Sequence, residues 1–368
     1  MKPVNTPPFA QAPALPPALA DARLASAGIA PPRVSVVVTS YNYAPYVLEC
    51  LRSVARQAYP EWECLVVDDC STDGSAAIIE TFTTSEEARG RFRLLRRTVN
   101  GGQMEAFKDG LAQATGALVV LLDADDVLLE DFLEAHVRAH LGRRPVAFTS
   151  SNQYQIDAAG RVLSAEHLDH QSKGQYRLVA RTTFQRGFWV WATASSMMYR
   201  ADVLRLILEG QPRTFRICAD YYVAHFANLI GCSLLIPAIH GCYRRHGENN
   251  FGSNPVLGAL NSVGCMSKHP PHPEFRKAII EHLLANSARF LPILGGPGLR
   301  VLIWKVATLK EFGEVLRARP DLFPGPAWKA WAGYLRFRLS RWRRDRTAWP
   351  DKLEIIAPEE AEPGRPAP

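Results

Sequence analysis

Structural cysteine is missing from this chain. Its seven cysteines, at 50, 64, 70, 218, 232, 242 and 265, form no CxxC pair and no close Cys/His cluster. That excludes a zinc ribbon or finger, and an odd count of scattered thiols argues against a disulfide framework. The pattern is that of reduced thiols in a cytoplasmic protein. No uncharged apolar run approaches the roughly 20 residues that cross a bilayer, so any membrane contact is expected to be peripheral, at the inner face. The first 32 residues are rich in Pro and Ala but lack a basic start followed by a compact apolar stretch. They are expected to form a disordered tail and not a secretory leader. No internal repeat is visible. The first apolar run leads into TSYNYAP, not a glycine fingerprint, which speaks against a dinucleotide-binding dehydrogenase.

What is present is enough for a sizeable core: 368 residues, 47% of them hydrophobic, allow one or two domains. The formal net charge of +7 resides mostly in the last third and need not describe the rest. A basic tail alone supports no specific nucleic-acid partner.

From Arg33 to Thr149 short β-branched runs alternate with helix-period segments. VSVVVTS (34–40), ECLVVDD (63–69), 92–96, 117–122 and 146–149 read as strands; 45–57, 74–82, 102–114 and 128–140 read as helices. Such alternation predicts an α/β domain with a mainly parallel central sheet flanked by helices. Past Ser150 the alternation fades, with helices expected at 202–209 and 219–230. Residues 251–349 read as a helical C-terminal extension, and 350–368 as a flexible, Pro/Glu-rich tail. Within the extension, 326–349 combines Trp328, Trp331, Tyr334, Phe337, Trp342 and Trp349 with arginines. That composition suits a helix packed on the domain or one lying on a membrane surface.

The richest ten residues are ALVVLLDADD (117–126), an apolar run ending in Asp123, Asp125 and Asp126. Ligands of open α/β sheets bind beyond the carboxyl ends of the strands, and three neighbouring acids call for a cation. Alternatively, the segment is a solvated acidic loop. Polar groups close three other strands too: Thr39-Ser40-Tyr41-Asn42, Asp68-Asp69-Cys70-Ser71-Thr72-Asp73-Gly74-Ser75, and Asn100-Gly101-Gly102-Gln103.

In this order the four segments resemble the T-x-YN, DD-x-S-x-D-x-[ST], N-x-G and D-x-DD motifs of family 2 glycosyltransferases. The resemblance spans residues 33–140 and implies the GT-A nucleotide-sugar-binding fold over 33–250, with a donor-binding half (33–140) and an acceptor half (141–250). It implies an inverting transferase of the hexosyl or N-acetylhexosaminyl class. Such an enzyme moves a sugar from a nucleoside diphosphate, UDP being favoured, to a hydroxyl of a glycan or lipid-linked acceptor. Asp69 resembles the acid that reads the base, since a carboxylate accepts from the imide N–H of uracil. Thr39 and Tyr41 would line the same pocket, and Asn100 and Lys108 would approach the ribose and diphosphate. Lys108 stands where arginine is common and offers a point charge in place of a fork. Asp125 and Asp126 would hold Mg²⁺ or Mn²⁺ against the diphosphate, with Asp123 and Asp125 also contacting the donor.

Asp220, in ICADYY (217–222), resembles the family's general base, although Ala219 stands where many relatives carry another acid. Asp is also a common helix cap, which is the alternative for Asp220 and for Asp68 and Asp69. YRRHGEN (243–249) resembles YR-x-H-x-x-N, so His246 and Arg244 would close over the diphosphate. Trp189 or Trp191 can stack on an acceptor sugar or simply pack in the core. A processive Q-x-x-R-W motif is lacking: Arg338–Trp342 has no Gln and the wrong position, which favours single addition. The competing reading is a non-catalytic nucleotide-sugar or glycan-binding scaffold on a degenerate transferase fold.

Overall fold

The computed structural model describes residues 30–142, 144–180, 189–246, 272–344 and 353–361. Most of the tail expected at 1–32 lies outside them, as do Gly247–Asn249 of the YRRHGEN motif, Trp349 and residues 362–368. The expected alternation is seen as β1 (Val34–Ser40), α1 (Val47–Ala55), β2 (Trp62–Asp68), α2 (Ser75–Thr83), β3 (Phe92–Arg96), α3 (Gln103–Gln113) and β4 (Leu118–Asp123). There follow β5 (Val127–Leu128), α4 (Phe132–His140), β6 (Phe148–Asp157), β7 (Val162–Ser164), β8 (Arg177–Val179), β9 (Met197–Arg200), α5 (Ala201–Leu208), α6 (Ala219–Ile230) and β10 (Ser233–Arg245).

All these strands join one sheet in the order β8-β10-β6-β9-β4-β1-β2-β3, with β5 on β10 and β7 on β6. The β4-β1-β2-β3 portion is parallel, as the Val/Leu runs and intervening helices require. Beyond it β9 inserts antiparallel between β4 and β6, so the sheet is mixed. Each strand serves two cores by period-two alternation: Val37, Leu65 and Leu121 face the helices α3 and α6, whereas Val36, Val38, Val66 and Val120 face α1 and α4.

Two boundaries differ from expectation. The helix expected from 128 begins at Phe132, because Val127 and Leu128 pair with Cys242 and Gly241 of β10. Past Ser150, where the alternation fades, the chain forms the 13-residue β10, in parallel register with β6 apart from a bulge near Ile239. Helices α7 (His272–Ala285), α8 (Ser287–Val306), α9 (Leu309–Ala318) and α10 (Ala327–Arg344) form the expected extension. A kink divides α8 at Gly295 (φ 65°), between Pro292 and Pro297. One side of α10 packs on α8 and α9 of the extension: Tyr334 is fully buried with its hydroxyl donating to the Ala307 carbonyl, and Trp331 meets Phe312 edge-on. Trp328 and Leu339 on α10 are exposed. Among the described residues no helix is long and apolar enough to cross a membrane.

The flexible tail expected from 350 is not what residues 353–361 form. Glu354–Ile355 (β11) pairs antiparallel with β8, and Pro358–Ala361 (α11) follows. Leu353, Ile356 and Ala361 are buried, the latter two against Tyr176, Leu178, Leu234 and Ile236. Few apolar residues among many charges and prolines hid this strand from a compositional reading. Ile356→Ala should therefore cost about 2–3 kcal/mol in denaturant unfolding, the range for a truncated buried aliphatic. A true tail would give no change.

Candidate active site

A cavity of about 570 Å³ opens where β1, β2 and β4 end, with the last residues of β6 and β10 and the start of α6 facing them. Parallel register sets this up: Thr39 lies level with Asp123, and Ser40 with Asp68. Past β1 the chain turns at Asn42 (φ 59°) and is stitched to the loop after β2. The amides of Asn42, Tyr43 and Ala44 donate to Ser71 Oγ, Ser75 Oγ and Asp73 Oδ2, at 2.8–3.0 Å. The Ser and Asp residues of the second motif thus join two loops. Asp68 is buried and accepts from the Ser71 amide (3.1 Å), away from the cavity.

Asp69 does line the cavity, and its carboxylate accepts from the Gly101 amide (2.9 Å), the Gly102 amide (2.7 Å) and Arg97 (2.8 Å). It therefore shapes the Asn100–Gly102 turn besides facing a ligand. Asn100, Thr39 and Tyr41 are cavity residues as expected, and Arg216 donates to the Asn100 carbonyl (3.0 Å). Lys108 is not among them. It sits one turn along α3, paired with Glu105 at 2.8 Å, because the cavity meets only the first turn of that helix.

Besides Asp69 and Asp169, three mutually interacting carboxylates line the cavity: Asp123, Asp125 and Asp220. Asp123 Oδ1 accepts from Thr39 (3.3 Å) and Gln103 (3.4 Å). Burial, then Asp125, then Asp220 push its pKa up to about 7. Asp125 is 4% exposed and meets His246 Nε2 at 2.9 Å. Asp126, expected to hold the metal, is fully buried and off the cavity wall. Its amide closes a turn onto the Asp123 carbonyl (3.1 Å), which aims the side chain inward, and Oδ1 accepts from the Arg244 amide (2.8 Å).

These residues fit a divalent cation, with Asp123 and Asp125 replacing the expected pair Asp125 and Asp126. Among the described residues no three His, Cys, Asp or Glu side chains are arranged to hold a metal by themselves. Mg²⁺ sites, however, usually consist of one or two carboxylates completed by substrate phosphate. Two mutually repelling acids facing a cavity, one oriented by a histidine, meet that requirement.

Asp220 opens α6 after Cys218, which has a positive φ (59°). Gln103 links this end to the acid turn, since its Oε1 accepts from the Ala219 amide (2.9 Å) while its Nε2 reaches Asp123. Burial pushes the Asp220 pKa up to about 6.

The YRRH segment behaves otherwise than expected. Arg244 is 1% exposed and points away from the cavity, pairing with Glu49 (2.6 Å), donating to the Asp125 carbonyl (2.8 Å) and lying over the Tyr46 ring. His246 stacks on Tyr46 (4.8 Å) and is off the cavity wall, touching wall residues Asp125 by a hydrogen bond and Tyr43 edge-on. The strand continues to Arg245, so alternation turns Tyr243 and Arg245 into the cavity and Arg244 out of it. Arg245 was legible in the alternation had the strand's length been known; Gln155, His167 and Asp169, also on the wall, carry no motif. Of the two tryptophans, Trp189 lines the cavity, stacked on Tyr221 at 5.7 Å, and Trp191 is core, donating to Ser233.

Residues 35–205 match the family model Glycosyl transferase family 2. Over 223 residues the chain is 30% identical to an uncharacterized glycosyltransferase of Nostoc sp., covering 60% of this chain and 67% of that protein. The chain belongs to glycosyl transferase family 2. The family read from the four strand-end motifs is thereby borne out, and with it the enzyme class. Another relative, the putative teichuronic acid biosynthesis glycosyltransferase TuaG of Bacillus subtilis, is 36% identical over 112 residues, 30% of this chain and 43% of its own. The mannosyltransferase PcManGT from Pyrobaculum calidifontis, solved with GDP-Man and Mn²⁺, aligns with a TM-score of 0.47 at 19% identity, over 86% of this chain and 89% of that one.

Proposed function

We propose that this protein is an inverting, metal-assisted transferase that moves one sugar from a nucleoside diphosphate to an acceptor hydroxyl, with Asp220 as the general base. One observation carries this reading: Asp220 and the Asp123–Asp125 turn face the same cavity and are tied together by Gln103. The nucleotide occupies the end lined by Thr39, Tyr41, Asp69 and Asn100. A cation held by Asp125 and Asp123 would supply Lewis-acid stabilisation of the departing diphosphate. Asp220 takes the proton of the attacking hydroxyl, and its carboxylate, lifted to about 6 by burial, is ionised at neutral pH while remaining basic enough to work. Trp189, stacked on Tyr221, offers a face for an acceptor sugar.

The test is nucleotide release from UDP-, GDP- and dTDP-sugars with Mg²⁺ or Mn²⁺. Release of one diphosphate that stops on chelation is expected; a protein that binds and cleaves none of them is not such a transferase. A pH dependence follows from Asp220. The base works only when ionised, so kcat/KM should rise through about pH 6 to a plateau. At pH 5 it should stand about tenfold below that plateau, the ionised fraction one unit under the pKa. A flat profile from pH 5 to 8 would remove Asp220 from the role.

A further inference from the structure

Arg245 is the anomaly of the cavity wall. It is 4% exposed, yet among the described residues it makes no ion pair, and its guanidinium donates to a neutral group, Gln155 Oε1, at 3.0 Å. Its Nε is buried with no hydrogen-bond partner. The other arginines near the cavity are employed: Arg97 on Asp69, Arg216 on Asn100, Arg244 on Glu49. Gln155 is itself fixed, since its Nε2 donates to the Glu166 carbonyl (3.2 Å), which leaves Oε1 toward the guanidinium. Among the described residues Asp169 forms no ion pair with Arg245; it lies 4.0 Å from His167 Nδ1, a histidine that burial keeps neutral. A guanidinium taken out of water without a carboxylate is costly unless a ligand supplies the charge, and its fork matches an oxyanion.

Position says which substrate brings that oxyanion. The base end of the cavity, at Asp69, follows β2, whereas Arg245 ends β10, on the far side of β4 and its acids. The end of β10 is bonded directly to the acid turn through Arg244, so Arg245 stands beside those acids on the side away from the base end, where Gln155 holds it. We propose that Arg245 and Gln155 form an oxyanion subsite on the acceptor side, so that the acceptor carries a phosphate or carboxylate close to the hydroxyl that receives the sugar. This rests on the transferase reading of the cavity.

Three probes of one skeleton test it: glycerol 3-phosphate, glycerate and glycerol, titrated calorimetrically into protein saturated with Mn²⁺ and the nucleoside diphosphate it binds. The wild type should bind at least one of the anions at least tenfold more tightly than glycerol, and which one it favours distinguishes phosphate from carboxylate. Arg245→Gln should erase that preference, Arg245→Lys should keep part of it, and nucleotide affinity should move less than threefold in both. Should the Gln variant not fold, the Lys variant still decides, since loss of the fork with retention of charge should weaken anion binding about threefold to tenfold. Equal binding of anions and glycerol by the wild type, or parallel loss of nucleotide and anion on substitution, overturns the inference; the second result would make Arg245 a donor-diphosphate clamp. A wild type that binds no nucleoside diphosphate overturns the transferase reading instead, and this inference falls with it.

Discussion

Asp220→Asn should lower kcat by about 10²–10⁴, the usual contribution of a positioned base, or about 3–5 kcal/mol at 1.36 kcal/mol per factor of ten. The substitution keeps the volume of the side chain and removes its charge. Because Asp220 helps to raise the Asp123 pKa, losing that charge eases the repulsion among the cavity acids. Metal-dependent nucleotide affinity should then stay level or improve while turnover collapses. Measuring both quantities separates a base from a cap: a residue that merely held the start of α6 would lose stability and binding together. Activity within tenfold of wild type would sink the assignment.

Gly102→Ala is expected to be nearly as damaging, for a backbone reason. Gly102 has φ +83°, and a Cβ there would collide with the Cα of Arg216 and approach its carbonyl oxygen to 2.7 Å. With ψ 178° the residue occupies a region open essentially to glycine alone, so the strain of a Cβ there is worth about 1–3 kcal/mol. That carbonyl also accepts from the Gln103 amide (2.9 Å), so displacing it disturbs the side chain that joins Asp123 to α6. A loss of about 2–4 kcal/mol in stability and at least tenfold in nucleotide affinity should follow. Gly101→Ala is the control. There the backbone φ is unstrained and the new Cβ meets the guanidinium end of Arg97, which must swing off Asp69, so the loss should be confined to that ion pair, about 1 kcal/mol or less in stability. Equal effects of the two substitutions in denaturant melts and calorimetry would refute the argument.

The donor half was readable because its physics is local. Continuous Val/Leu runs announce buried parallel strands, and each stops at a cluster of hydrogen-bonding residues, so strand ends and cavity wall coincide at Thr39, Asp69, Asn100 and Asp123. What escaped depends on facing, which needs the third dimension. Asp126 is separated from Asp125 by one step of a tight turn and points the opposite way. Arg245, and not Arg244, reaches the cavity because β10 continues through Arg245 and its alternation sets which of the two faces inward. Lys108 fails by a single helical turn. His167 and Asp169 reach the cavity from a loop after β7 with no periodic signal to mark them. Burial of Leu353 and Ile356 was invisible among prolines and glutamates.

The hydrogen bonds that fix the acid turn span long stretches of chain: 118 residues between Asp126 and the Arg244 amide, 119 between the Asp125 carbonyl and the Arg244 guanidinium. Closing so large a loop is entropically slow, and contacts of that separation form late in folding. Strands β1 to β4 can pair among near neighbours first; their acids acquire a set geometry only when β10 docks. Ligand competence therefore depends on β10, and a polypeptide cut before Ser233 would retain every donor-side motif while lacking the strand that holds the acid turn in place.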